Sequence, residues 1–319
     1  PVKGARIISI DPGYRTGCKV AVINETGKLL AYTTVFPTEP KKDIKGTEAV
    51  LKKLAEKFWP GPLTMIFKKT DLVPKETTGG LDTVAVRFPD HKVALAFIEA
   101  AGGFVAAPSA NTSGRPSPTT AGHVAEDLGD AIDMIIDGGM VGMGLESTII
   151  DVTVNPPMIL RPGFITYEMV KEIVPDATED RTIFTKPTKE FKPKAPGMKY
   201  RHYAPSADYT IYKGDEVKVA EKIIELANEK ADEGKITGII TADQHLHMYQ
   251  GRLNKSIKVV SLGDLEKPEI VANHLFKALR DFDKVDTEFI FGEAFSEKNV
   301  GQAIMNRLTK AAGYNIIDV

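Results

Sequence analysis

Cysteine is almost absent from this sequence: its 319 residues include one, Cys18. A single thiol excludes an intramolecular disulfide and a thiolate zinc cluster, and it predicts a reducing compartment. Long apolar runs are missing too. No stretch approaches the roughly 20 residues needed to cross a bilayer, and Pro1 to Arg6 carry no signal-peptide core. These absences predict a soluble, cytoplasmic protein with no membrane partner. Neither charge sign dominates, since 41 Lys and Arg face 43 Asp and Glu for a net −2. That argues against a strongly basic protein that coats nucleic acid, while leaving room for a local basic cleft. There are no internal repeats and no low-complexity tracts. The residues that are present, 42% hydrophobic and 26% charged, have the balance of a globular protein in a chain long enough for two domains.

Periodicity divides the chain. Residues 6–11 (RIISID), 18–24 (CKVAVIN) and 28–36 read as strands, rich in β-branched residues and broken by Pro12-Gly13 and Glu25-Thr26-Gly27. Three short strands are marginal alone, so they are expected to extend the sheet of the domain that follows. Thr47 to Phe58 reads as a helix with Val50, Leu51, Leu54 and Phe58 on one face, ended by Pro60-Gly61-Pro62. Further strands are expected at 63–68, 83–88, 104–106, 132–136 and 147–153, and helices near 91–101 and 119–128. Residues 184–206, with Pro187, Pro193, Pro196 and Pro205, read as a linker. Beyond it, strands at 208–213, 236–241, 257–261, 287–291 and 314–318 alternate with helices at 216–234, 268–281 and 298–311. That alternation predicts a small parallel-sheet α/β domain.

Several short blocks carry chemistry. Ala107-Pro108-Ser109-Ala110-Asn111, continuing through Ser113 to Thr119, puts small residues, hydroxyls and an amide in a turn ahead of a helix. Such a loop either caps the helix or lets a phosphate or carboxylate approach its backbone. Arg87, near the end of the apolar run after Asp82-Thr83, is either salt-bridged or aimed at an anion as a bidentate clamp. Glu146-Ser147-Thr148 precedes a strand, and Leu160-Arg161-Pro162-Gly163 follows one. In the linker, Lys199, Tyr200, Arg201, His202 and Tyr203 stand together, a composition suited to a strap over an anionic ligand. His245 and His247 read as a surface loop, since no third metal ligand is near.

Together these blocks resemble the long, two-domain form of the L-threonylcarbamoyl-adenylate synthase family. The motifs stand in order: WPGPLT at 59–64, GLDTVAVR at 80–87, APSAN at 107–111, RPSPT at 115–119, EST at 146–148, LRPG at 160–163 and APGMKYRHYAP at 195–205. GQAIMNRLTKAAG at 301–313 resembles the end of that family's second domain. The resemblance covers residues 48–319 and implies a YrdC-like mixed-sheet catalytic domain at 48–183. A linker over the active site at 184–206 and a smaller Rossmann-like parallel-sheet domain at 207–319 would follow. It implies ATP contacts from Thr83, Ser109, Ser117, Arg161 and His202, and threonine contacts from Arg87, Ala107 and Ser147. Lys199, Tyr200, Arg201 and Tyr203 would form a lid. The implied reaction joins ATP, L-threonine and bicarbonate or CO2 into L-threonylcarbamoyladenylate, with Mg2+ carried by ATP. The implied partners are a tRNA threonylcarbamoyl transferase and tRNA, and the chain is expected to be a monomer. No protein nucleophile or protein-held metal is called for, because catalysis would rest on positioning and charge neutralisation.

The first 47 residues depart from this pattern. The family opens with a strand and FPTETVYGL, followed by a basic Lys-x-Arg segment. Here Phe36-Pro37-Thr38-Glu39 is kept, Pro40 replaces the next threonine, and the basic segment does not follow. Residues 6–35 instead resemble the first hairpin of the RNase H-like domain of a bacterial transcription accessory protein, with Asp11 and Gly13 matching its D-x-G run. The two resemblances abut at FPTEP, as in a fused chain. Three readings follow: a nucleotidyl-transferring enzyme, a non-catalytic nucleotide- or RNA-binding protein that keeps the cleft, and an RNase H-like enzyme resting on Asp11 alone.

Overall fold

Leu63, Thr64, Met65 and Ile66 are consecutive and all buried, the pattern of a strand covered on both faces. In the computed structural model, which describes residues 7–11, 18–23, 29–35, 44–186 and 202–319, they belong to an interior strand of a five-stranded mixed sheet. The chain falls into two compact units that interleave along the sequence. The first comprises Pro1–Ala107, Ser147–Arg161 and Ile165–Asp180, and the second Pro108–Glu146, Pro162–Phe164 and Arg181–Val319.

In the first unit, β1 (Ile7–Asp11), β2 (Cys18–Ile23) and β3 (Leu29–Val35) pair antiparallel as a sheet of their own. They do not join the larger sheet, contrary to expectation: β2 pairs with both of its chain neighbours, and β1 and β3 pair with β2 alone among the described residues. Helix α1 (Ile44–Phe58) buries Leu51, Leu54, Ala55 and Phe58 at the predicted spacing. The larger sheet runs β5 (Thr83–Arg87), β4 (Leu63–Lys68), β6 (Thr148–Asp151), β7 (Met158–Arg161) and β8 (Thr178–Glu179) in that spatial order. Helix α2 (Lys92–Ala100) buries none of its residues, while α4 (Tyr167–Lys171) buries Val170. Residues 104–106 and 132–136 are not strands. Neither run pairs with a neighbour among the described residues, and Phe104 and Met134 are 85% and 76% exposed, so an apolar run without a partner strand stays irregular.

The second unit holds α3 (Ala121–Leu128) and then the alternation read from the sequence. Strands β9 (Asp208–Lys213), β10 (Thr237–Thr241), β11 (Lys258–Ser261), β12 (Phe289–Glu293) and β13 (Ile316–Asp318) form an all-parallel sheet in the order β11-β10-β12-β9-β13. Its helices are α5 (Glu216–Asp232), α6 (Leu246–Tyr249), α7 (Pro268–Asp283) and α8 (Val300–Ala311). One face packs Leu275, Phe276, Leu279 and Phe282 of α7 with Ile304 and Leu308 of α8. The other packs Ile223 and Ala227 of α5 against Ile239. Each such leucine, isoleucine or phenylalanine contributes roughly 1.5–3 kcal/mol of burial. Gly238 is required in β10, because a Cβ there would lie 2.2 Å from the Phe282 ring. The connections after β9 and β12 leave to opposite faces, so a crevice opens at the carboxyl ends of these neighbouring strands.

Candidate functional site

Strand register brings together the candidate residues of the first unit. Arg87 of β5 lies opposite Thr64 of β4, Thr64 beside Ile149 of β6, and Ile149 opposite Arg161 of β7. One row across four strands therefore carries both arginines. Gly61 anchors the row's edge. A Cβ there would sit 2.5 Å from Phe58 O, and the bare turn lets Gly61 N donate to Phe88 O while Gly61 O accepts from Arg87 Nε at 3.0 Å. This gives the WPGPLT run its local role.

Around Ser147 the contacts tighten. Its Oγ shares a 2.7 Å hydrogen bond with Thr64 Oγ1, and its carbonyl accepts from Arg161 Nε at 3.1 Å and Nη2 at 2.9 Å. Arg161 Nη2 also donates to Ser147 Oγ at 3.3 Å, and both residues are buried. The surrounding protein, and secondly the charge of Arg161, lower the Arg87 pKa, although Arg87 stays exposed and its desolvation is partial. Among the described residues no carboxylate forms an ion pair with Arg87. Two guanidiniums that disfavour each other make a place where an anion is favoured. Thr83 stands at the far end of β5, four residues or about 13 Å along the strand from Arg87. Ala107 is exposed in irregular backbone.

The second unit holds the remaining described residues. Ser109 is exposed in the APSAN turn, where Asn111 Oδ1 is buried without a hydrogen-bond partner among the described residues. Ser117 Oγ donates to Glu146 Oε1 at 2.5 Å. The turn between them is clamped from α7: Arg280, fully buried, donates to Pro116 O and to both oxygens of Asp127. Burial works to raise the Asp127 pKa, but hydrogen bonds from Arg280 and the Thr112 amide, with the charges of Arg280 and Arg115, hold it below the usual range. The His202 ring lies tilted against Tyr203 with centroids 5.7 Å apart, and Tyr203, buried and at φ 65°, packs on Phe276 at 5.2 Å. Lys199, Tyr200, Arg201 and the FPTEP run lie outside the described residues.

Thus the structure brings Arg87, Ser147 and Arg161 together in one unit and links Ser117 to Glu146 in the other. Sequence reasoning missed two features. One is the role of Glu146, held by Arg307 of α8 at 2.7 Å across 161 residues. The other lies in the crevice of the parallel sheet, a concavity of about 570 Å³ whose lining includes His245 and Glu293. Buried Glu293 accepts from Tyr249 at 2.6 Å and Thr241 at 2.8 Å, and it meets His245 Nδ1 at 2.6 Å, so His245 is not the free surface residue expected. An acidic residue closing an apolar strand, Phe289 to Glu293, is the signal that could have found it.

The family model Sua5_yciO_yrdC, described as telomere recombination, matches residues 27–163, and that of the threonylcarbamoyl-AMP synthase C-terminal domain matches 165–313. The first match begins 21 residues ahead of residue 48. Threonylcarbamoyl-AMP synthase of Pyrococcus abyssi is 46% identical over 266 residues, 83% of this chain and 74% of that protein. Its Bacillus subtilis counterpart is 43% identical over 267 residues with the same coverage. The crystal structure of P. abyssi Sua5 with L-threonine superposes with a TM-score of 0.77 at 45% identity, over 88% of this chain and 77% of that one. Protein tex of Bordetella pertussis also matches, 34% identical over 105 residues, which span 33% of this chain and 13% of that protein.

Proposed function

The chain belongs to the threonylcarbamoyl-AMP synthase family, and on that premise we propose that it binds ATP and L-threonine and forms L-threonylcarbamoyladenylate and pyrophosphate with bicarbonate or CO2. The observation that carries this reading is the row holding Arg87, Thr64 and Arg161, with Ser147 hydrogen-bonded to Thr64 and Arg161, a cationic and hydroxyl-bearing cluster suited to carboxylate and phosphate oxygens. Threonine's carboxylate would meet Arg87 beside Ala107 and Ser147. Its amine takes up CO2, and the new carboxylate attacks the α-phosphate as pyrophosphate leaves. Arg161, with Thr83, Ser109, Ser117 and His202, would hold the nucleotide. Catalysis would come from holding the two reactants in line and from cations facing the charge on phosphate oxygens. Mg2+ would be carried by ATP's own oxygens. The product would pass to a tRNA threonylcarbamoyl transferase acting on tRNA.

Turnover is expected to be much slower than in complete family members. Pro40 has neither hydroxyl nor N–H with which to replace a threonine donor, and the basic segment of the family does not follow it. Each preorganised donor of this kind is worth roughly a hundredfold in rate, so binding should outlast catalysis. Pyrophosphate release that requires both threonine and bicarbonate supports the proposal. ATP binding unaffected by threonine, with no such release, would favour a nucleotide-binding protein without turnover.

A further inference from the structure

Arg307 spends its guanidinium on segments that the proposed function gives to the nucleotide. The side chain is fully buried in α8. Nε donates to Glu146 Oε2 at 2.7 Å and Nη2 to Pro162 O at 2.9 Å. Nη1 donates to Asn306 Oδ1 at 2.9 Å, and the Asn306 amide in turn donates to Ile183 O at 2.9 Å. The guanidinium carbon lies 5.5 Å from the centroid of the Tyr203 ring. One side chain therefore touches the EST motif, the LRPG motif and the strap, each next to a proposed ligand residue: Ser147, Arg161 and His202.

The chain of bonds continues one step further. Glu146 Oε1 accepts the Ser117 hydroxyl at 2.5 Å. Glu146, ion-paired with Arg307, accepts the Ser117 proton and so leaves Ser117 Oγ with lone pairs to offer. Such an oxygen receives a hydrogen bond from a sugar hydroxyl or an exocyclic amine. It cannot donate to a phosphate at the same time. We propose that Arg307 is a positioning residue. From the last helix it holds Glu146, Pro162 and Tyr203 in one arrangement, and through Glu146 it sets Ser117 as an acceptor for the nucleoside part of the substrate. This rests on Ser117 being a nucleotide contact. Lysine would keep the charge but could not keep three directed bonds and the ring contact.

Two measurements on the whole chain test it. In Arg307→Lys, amide hydrogen exchange over residues 115–119 and 202–204 should rise by about tenfold while the protected amides of α8 stay as in the parent. No change, or an equal rise throughout the unit, overturns the positioning role. Calorimetry with ATP and with inorganic tripolyphosphate reads the acceptor role. Ser117→Ala and Arg307→Lys should each weaken ATP by about tenfold, leave tripolyphosphate within about twofold, and together cost no more than either alone. Loss of tripolyphosphate affinity, or additive losses for ATP, overturns it. A parent chain that binds no ATP would remove the proposed function and the nucleoside role of Ser117 with it, and exchange would still decide the role of Arg307.

Discussion

Replacing Arg280 with alanine should cost the second unit about 3–4 kcal/mol, an amount built from its contacts. The guanidinium is fully buried and donates to Asp127 at 3.1 and 2.7 Å and to Pro116 O at 3.1 and 2.7 Å. Breaking a buried ion pair by removing one partner costs about 3–5 kcal/mol, because the other charge is stranded. Asp127 is not stranded completely: Arg115 reaches it at 2.6 Å and the Thr112 amide at 3.1 Å, which places the loss at the low end. Pro116 O loses both donors that Arg280 supplies and adds about 1 kcal/mol. With a urea slope of about 2–3 kcal/mol/M, the unfolding midpoint should fall by about 1–2 M. Hydrogen exchange at the amides of α7 follows the second unit, while Trp59, the only tryptophan, reports on the first. The double variant Arg280→Met with Asp127→Leu strands no buried charge and should recover most of the loss. If the double variant is as unstable as Arg280→Ala, the loss is one of packing and the electrostatic reasoning fails.

Three further outcomes are expected. The depressed Asp127 pKa gives stability that is present above the unfolded-state value of about 3.9 and disappears as pH falls through the lower folded-state value. Acid titration of thermal stability should therefore show the gap between the parent and Asp127→Asn closing below about pH 4, and a gap that widens there would have the wrong sign. Gly144→Ala should destabilise by about 1–3 kcal/mol: at φ +67°, its Cβ would meet Ala272 O at 2.4 Å, so calorimetric melting should fall by several degrees. Arg87→Ala should weaken threonine more than ATP, and Arg161→Ala should weaken ATP by about 1.5–3 kcal/mol, read by titration of each ligand. Equal losses of both ligands in both variants would point to general damage, since Arg161 also holds Ser147.

Much of this was legible because it is local or repetitive. The spacing of Leu51, Leu54 and Phe58 fixes a helix face, and Gly61 ends α1 with a turn that only a bare backbone fits. The alternation after residue 207 needs only periodicity, and its strands and helices fall within a few residues of their expected bounds. The apolar runs at 104–106 and 132–136 misled, because a strand needs a partner and a run of side chains does not reveal whether one exists. That β1 to β3 would form a separate sheet depended on the same kind of pairing. Arg307 with Glu146, and Arg280 with Asp127, were illegible for a different reason: the partners are 161 and 153 residues apart, and nothing local marks one charge as the other's counterpart. The motif list named Ser147 and Arg161, but only the strand register shows why they meet.

We propose that this chain binds ATP and L-threonine and joins them slowly. The most direct measurement takes one sample through two readings: ATP affinity by calorimetry with and without threonine, and pyrophosphate release with threonine and bicarbonate supplied or withheld. ATP binding should be measurable, and release should need both co-substrates at a rate roughly a hundredfold or more below that of a relative that keeps the basic segment. Release at a complete relative's rate would show that other residues supply the groups lost around Pro40. Absence of ATP binding would contradict the claim outright.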